Sequence, residues 1–599
     1  MLKDCIEIFK KTRSEYLSKS NEHNKITFIT DDYPLSYGSY ILVDNKTGKI
    51  KKYLEVRKDS TKDKEYRYFA NLDYLSSLID IKKPIDMKKV IHSNNIYSFF
   101  IKKDSLEDKL KKERIDYYYS NLLNPNLKYK NDKKKLNLYL EIEKRLGKVN
   151  ADDVIYINSW IEDNILNKNI SDINNRLKED LDIDDSLKAD KSYLKIFFDF
   201  PLENFEKECE KYTIPNIYNN NMFNVEIDNI IYGLPNNNIT LNSDKIFLKN
   251  MSRKNTIPYL IDSSEVLEQK YFFDYLKSFL GQHKNNIYLS FEDGINGYEQ
   301  FPEKTKSGYF LRVNRPKPNK GAEPQIVDFE ILKDKEINIK IINRDLFNLP
   351  YKGDIPDYYK TITNENVLQK LINDIFYENC LTTNYFNSLK DITLPKHVVI
   401  SKDLLGQSKN IWEDLFFKKN ETFLKANFEK VGLKIIKNTI LNNKTIKPYE
   451  FKACEQFNLY ISICKYIFNR EEDMKVIANN IFDSLSEKIN SNITKEINSD
   501  EEYFMAAGQL AKYFISLSKS AEKKHSLINP IINCKNPQKL KDELQKLFKK
   551  YNYRIDSNSK RFNNLYGMIL AYDCTSKINE KYLMLGYLFN SLIYFKEEN

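Results

Sequence analysis

The stretch SDEEYFMAAGQLAKYFISLSKSA, residues 499–521, decides the reading of the C-terminal part of the chain. Ser499 followed three residues later by Glu502 makes a capping box, in which each side chain accepts the other residue's backbone N–H. Tyr503, Ala507, Leu510, Phe514, Leu517 and Ala521 then recur at 4-3-4-3-4 spacing, one apolar stripe along a helix. Lys512, Lys519 and Lys523 fall on another stripe. The pattern repeats downstream. Asn536-Pro537 is an N-cap followed by proline at the first helical position. Leu540, Leu544, Leu547 and Tyr551 form the apolar side of that helix, and Lys539, Lys546 and Lys550 line another. Phe562, Leu565, Ile569 and Tyr572 mark a further helix, and Leu585, Phe589 and Leu592 the last. With 475–497, about five helices on short connections predict an all-α bundle over 474–599.

Working towards the N-terminus, helical periodicity continues back to about 366, so 366–473 reads as a helical connecting region. Before it the character changes. SYILVDNKTGKIKKYLEV (39–56) reads as a hairpin, two β-rich runs around a polar turn ending in Gly48. YLKIFFDF (193–200), SGYFLRV (307–313) and PQIVDFEIL (324–332) read as strands. Residues 1–20 and most of 73–180 read as helix, with a basic run, KYKNDKKK at 128–135, that suits a solvated loop. The expected fold is an α+β N-terminal body over 1–365 and a C-terminal all-α helical bundle.

Composition narrows the function. The 599 residues include 15 glycines, against a usual share of about 7%. Folds that cradle a nucleotide need backbone positions only glycine can take. Neither GxGxxG nor GxxxxGK[ST] occurs, so an ATP- or NAD-driven enzyme is disfavoured. Seven scattered cysteines without a CxxC argue against a disulfide framework and a structural zinc site. None of the five histidines precedes an Asp. No metal and no cofactor is expected. No apolar run reaches the ~18 residues of a membrane helix, and MLKDCIEIFKK is not a signal peptide, so the protein reads as cytoplasmic and free of membranes. The net charge of +10 at pH 7 suggests an anionic partner. However, Lys, Asn, Ile, Tyr and Phe, which dominate the chain, all use A/T-rich codons, so charge placement says more than the total.

No catalytic residue is expected. Asp199 in FFDF would be the acid of a metal-dependent nuclease, the rival reading, but no partner acid is marked. His525, after a helix, suits a capping role. The binding candidates are clearer. GLPNNNITLNSDKIFLKNMSRKN (233–255) clusters carboxamides, which can read base edges, ahead of a basic tail that can hold phosphates. Its residues are Asn236, Asn237, Asn238 and Asn242, then Lys245, Lys249, Arg253 and Lys254. The paired lysine stripes of the bundle are either solvated faces or a track for a nucleic-acid backbone. A stand-alone single-strand binder stacking bases on Tyr and Phe is a third reading.

Several stretches together resemble one family. They are MLKDCIEIFK (1–10), YGSYILVDNKTGKI (37–50), KKVIHSNNIYSFFIKKDSL (88–106), YLKIFFDFPLENFEKECEKY (193–212), GLPNNNITLN with its SRK tail, NGYEQFPEKTKSGYFLRV (296–313), AAGQLAKYFISLSKSAEKKHSLINP (506–530) and KRFNNLYGMIL (560–570). In this order and spacing they resemble the large subunit of the type I-B CRISPR interference complex, the Cascade surveillance complex.

The resemblance implies a non-catalytic subunit that sits near the 5′ end of a guide RNA within a multi-subunit complex. Its partners would be the backbone and guide-end-capping subunits. It would read a short protospacer-adjacent motif in double-stranded target DNA and help open the duplex, while pairing with the guide reads the target. A separate helicase-nuclease would cut. The resemblance assigns motif reading to Asn236, Asn237, Asn238 and Asn242, and phosphate anchoring to Arg253 and Lys254. It makes the lysine stripes a strand track. It also implies that the 474–599 bundle corresponds to a small subunit, made separately from an internal start at Met474. Some relatives carry paired cysteines in the middle region, whereas here Cys209 stands alone.

Overall fold

The computed structural model describes residues 1–19, 24–183, 187–241, 259–314, 324–349, 361–442, 446–470, 473–493, 495–518, 525–556 and 558–594; the side chains of 238, 281 and 446–450 also lie outside the description. Backbone contacts divide the chain into two compact units, 1–302 with 306–334, and 335–599 with 303–305. The fold is α+β in the N-terminal part, with a C-terminal run of helices.

The first unit is built on two four-stranded sheets. The hairpin expected at 39–56 is strands β1 (Gly38–Val43) and β2 (Ile50–Val56), paired antiparallel. Asp44 Oδ1 accepts the N–H of Lys46 and Thr47 in the turn, and Gly48 takes φ +69°, the left-handed conformation glycine tolerates. Strand β3 (Ser98–Lys102) lies in a region that periodicity assigns to helix. A buried apolar run this short carries no period that tells strand from helix. Strand β4 (Tyr193–Phe198) pairs parallel to β1 and antiparallel to β3, giving the order β2-β1-β4-β3. All six residues of β1 are buried, as a strand covered on both faces requires.

Strands β5 (Val225–Ile227), β6 (Ile230–Gly233) and β7 (Ile261–Asp262) form a small sheet beside the Asn-rich turn. The second large sheet joins β8 (Asn286–Ser290), β9 (Gly294–Tyr298), β10 (Gly308–Asn314) and β11 (Gln325–Leu332) in the order β11-β10-β8-β9, every pair antiparallel. The sequence read β10 and β11 to within a residue.

The second unit begins at 335, about thirty residues before the expected body ends at 365. The reason is local. Leu346 N–H donates to Asn458 Oδ1 at 3.0 Å, Asn458 Nδ2 donates to Asp345 at 3.0 Å, and the Phe347 ring meets Phe589 at 5.1 Å. These contacts tie 335–349 to the helices. Residues 366–473 and 474–599 share one unit as well. Glu580 pairs with Lys437 of the Thr422–Leu441 helix, and the Glu580–Leu588 helix packs on both Thr422–Leu441 and Ile446–Phe468.

The Asp500–Ser516 helix is the centre of this unit. It packs against the helices Met474–Asn490, Pro537–Tyr551, Lys560–Ala571 and Glu580–Leu588. Glu502 through Ala511 and Tyr513 through Ile515 are all buried, so the helix has no wide polar face. It ends at Ser516, and Ala521, the last position of the stripe, lies outside the described residues. Only half of the capping box forms. Ser499 Oγ accepts Glu502 N–H at 3.2 Å, but the Glu502 carboxylate accepts Asn498 N–H and two bonds at 2.8 Å from the buried Lys488 ammonium. A buried counter-charge outcompetes the reciprocal cap. Among the described residues, no helix is long and apolar enough to cross a membrane.

Candidate nucleic-acid interface

The carboxamide cluster sits just beyond β6. A Cβ on Gly233 would stand 2.4 Å from the Tyr218 ring, so only glycine lets the chain pass there. Leu234-Pro235 then leads into a 3-10 turn, Asn237–Thr240. Asn236 donates its N–H to Ile217 O at 2.9 Å, and its carbonyl accepts Ile239 N–H at 3.2 Å. The residue is 5% exposed. The structure therefore corrects the assignment of Asn236 as a base reader: it is a buried pivot of the turn. Asn237 is half-buried and accepts Thr240 Oγ1 at 3.1 Å through its carbonyl. Asn238 belongs to the same turn, but its side chain lies outside the described residues, as do Asn242, Lys245, Lys249, Arg253 and Lys254.

The two lysine stripes part company. Lys512 is half-buried, and its ammonium donates to Phe589 O at 2.6 Å and Leu588 O at 3.4 Å, the carbonyl end of the last helix. It neutralises a helix C-terminus. Its ammonium is thus already engaged at the helix end. Lys519 and Lys523 lie outside the described residues. Lys539, Lys546 and Lys550 are all exposed on the Pro537–Tyr551 helix, which Asn536 caps by accepting Gln538 and Lys539 N–H. Leu540, Leu544, Leu547 and Tyr551 are buried on its inner side. Lys546 pairs with Glu543 at 2.7 Å, and Lys550 stands over the Tyr551 ring at 5.4 Å. Eleven residues of helix place these three charges along about 16 Å.

A larger basic feature lies elsewhere in the second unit. A groove of 1140 Å³ runs between the Thr422–Leu441 helix, the end of the Ile446–Phe468 helix and the turn before the Glu580–Leu588 helix. Lys425, Lys430, Lys434, Lys437, Arg470, Lys535, Lys577 and Lys581 line it, against two carboxylates, Glu429 and Glu580. Arg470 pairs with Glu429 at 3.0 Å, and Lys535 pairs with Glu580 at 2.8 Å. Lys430, Lys434 and Lys577 are exposed and have no ion pair among the described residues. The groove therefore carries a surplus of positive charge. Lys535 leads directly into the helix that bears Lys539, Lys546 and Lys550. No local pattern announces this groove, because its cations come from four separate segments.

Asp199 accepts the Lys51 ammonium at 2.6 Å and Tyr68 Oη at 3.2 Å. No group of three His, Cys, Asp or Glu able to hold a metal occurs among the described residues. His525 is buried, with Nδ1 hydrogen-bonded to Tyr587 Oη. No family model, curated protein or solved structure matches the chain.

Proposed function

We propose that this chain is the non-catalytic large subunit of a type I-B Cascade complex, working in the cytoplasm. In this reading it joins a guide RNA-bearing assembly, engages double-stranded DNA at a short protospacer-adjacent motif, promotes R-loop formation and helps recruit a helicase-nuclease. The order of the eight family-like segments supports the choice of family. The observation that carries nucleic-acid binding is the 1140 Å³ basic groove, whose Lys430, Lys434 and Lys577 have no ion pair among the described residues. A row of ammonium groups over an open groove suits a phosphate backbone, releasing counterions without reading sequence.

Motif reading then falls to the 233–255 segment without Asn236. Tagged chain expressed in its own cells should bring down a backbone subunit and a short guide RNA. Binding should favour motif-bearing duplex over a scrambled one. Tight, sequence-blind binding by the purified chain with no guide would move the reading to a stand-alone single-strand binder. Magnesium-dependent cutting lost on Asp199→Ala would move it to a nuclease.

A further inference from the structure

The basic run at 128–135 is not uniformly solvated. Lys130, Lys133 and Lys134 are exposed, but Lys128 and Lys135 are half-buried. Both turn towards the last turn of the Leu202–Asn216 helix. Lys128 stands over the rings of Tyr129 and Tyr212, at 5.0 and 5.3 Å. Lys135 donates to Asn216 Oδ1 at 3.1 Å. Lys83 arrives from another part of the chain and donates to Asn216 O at 2.7 Å and to Tyr218 O. Tyr212 and Asn216 are one turn apart, joined by Asn216 Nδ2 to Tyr212 O at 2.9 Å. Three ammonium groups thus converge on one helix end.

None of the three forms an ion pair among the described residues. The nearby acids are occupied elsewhere: Asp132 accepts Lys135 N–H and Asn221 Nδ2, and Asp80 accepts Lys82 N–H. Helix-end carbonyls offset part of the charge. The remainder is held half out of water without a counter-ion, which is costly. Burial accordingly pulls the Lys83 and Lys128 amines down to about 7, with repulsion from Lys135 adding to it.

We propose that Lys83, Lys128 and Lys135 form a binding site for a phosphate group at the end of the Leu202–Asn216 helix. Inorganic phosphate and a nucleic-acid backbone phosphate share the required chemistry. The site rests on the nucleic-acid reading only for the second source. Its lysines also differ from those of the basic groove in the second unit.

Lysine acetylation with limiting succinimidyl acetate at pH 7, read residue by residue by mass spectrometry on the full chain, tests it. At tenfold Kd, inorganic phosphate or a short single-stranded oligonucleotide should slow Lys83 and Lys128 about tenfold and leave Lys130 and Lys133 unchanged. Protection by the oligonucleotide alone assigns the site to backbone phosphate. Protection by phosphate alone assigns it to a free anion and leaves the groove's role untouched. K135Q should weaken either protection. No protection by either ligand, or equal slowing of Lys130 and Lys133, overturns the proposal.

Discussion

The Asp500–Ser516 and Pro537–Tyr551 helices look alike in sequence, each an apolar stripe with lysines on another face, yet the fold uses them in opposite ways. The first is enclosed on nearly every side, while the second lies on the surface with one side buried. What separates them is the rest of each circumference. MAAGQLA offers small residues where PQKLKDELQKLFKKY offers charges. Ala506, Ala507 and Gly508 let a second helix approach closely, and a Cβ on Gly508 would stand 2.2 Å from Leu583 O. A stripe of large apolar residues shows that a helix packs. The small residues on its other face decide whether it is central.

The largest effect should come from filling that crossing. Gly508→Ala or Gly586→Ala drives a methyl against backbone, at 2.2 Å from Leu583 O and 2.1 Å from Met505 O. Backbone cannot swing aside, so each should cost about 3 kcal/mol or more in denaturant unfolding. Gly567→Ala, with nothing within 4 Å of its added Cβ, should instead stabilise by about 0.5–1 kcal/mol. Equal effects at the two kinds of site would break the comparison.

Next comes the charge buried beside the central helix. Lys488→Met leaves the Glu502 carboxylate buried without its cation and should cost about 3–5 kcal/mol. Replacing Lys539, Lys546 and Lys550 together by Gln should leave stability within about 0.5 kcal/mol. The same triple change should flatten the salt dependence of single-strand binding by up to about 2 in the log–log slope. An unchanged slope would make that row a solvated face only.

The smallest effect concerns acid. Asp500 accepts Tyr572 Oη at 2.8 Å and Ser576 N–H at 3.2 Å, and the Ser576 bonding above all holds its carboxyl below the usual 3.8. A carboxylate with a depressed folded pKa adds stability above its unfolded pKa and loses it as pH falls through the folded value. Asp500→Asn should therefore weaken the second unit at pH 6 by a few tenths of a kcal/mol, a difference that shrinks as pH falls through the lowered pKa of the folded carboxyl. The neutral cap Asn536 on the other helix should show no such pH dependence.

Local signals carried much of this fold into view. The 39–56 hairpin, strands β10 and β11, and the Asn536-Pro537 start are each written within a few residues. The site was less legible. Asn236 looks like a reading head because carboxamides suit bases, yet chain tracing past Tyr218 turns it inward. Lys512 lies on the lysine stripe, yet a helix end from 76 residues downstream claims it. The basic groove draws on Lys430, Lys535 and Lys577, which only tertiary structure gathers.

The glycine crossing also sets a schedule. Gln509 Nε2 bonds Gly586 O across 77 residues. At about 5–20 residues per second, the central helix leaves the ribosome roughly 4–15 s before its closest partner exists. During that interval its Ala-Gly face has nothing to pack on, so this helix is where a chaperone would find the nascent chain.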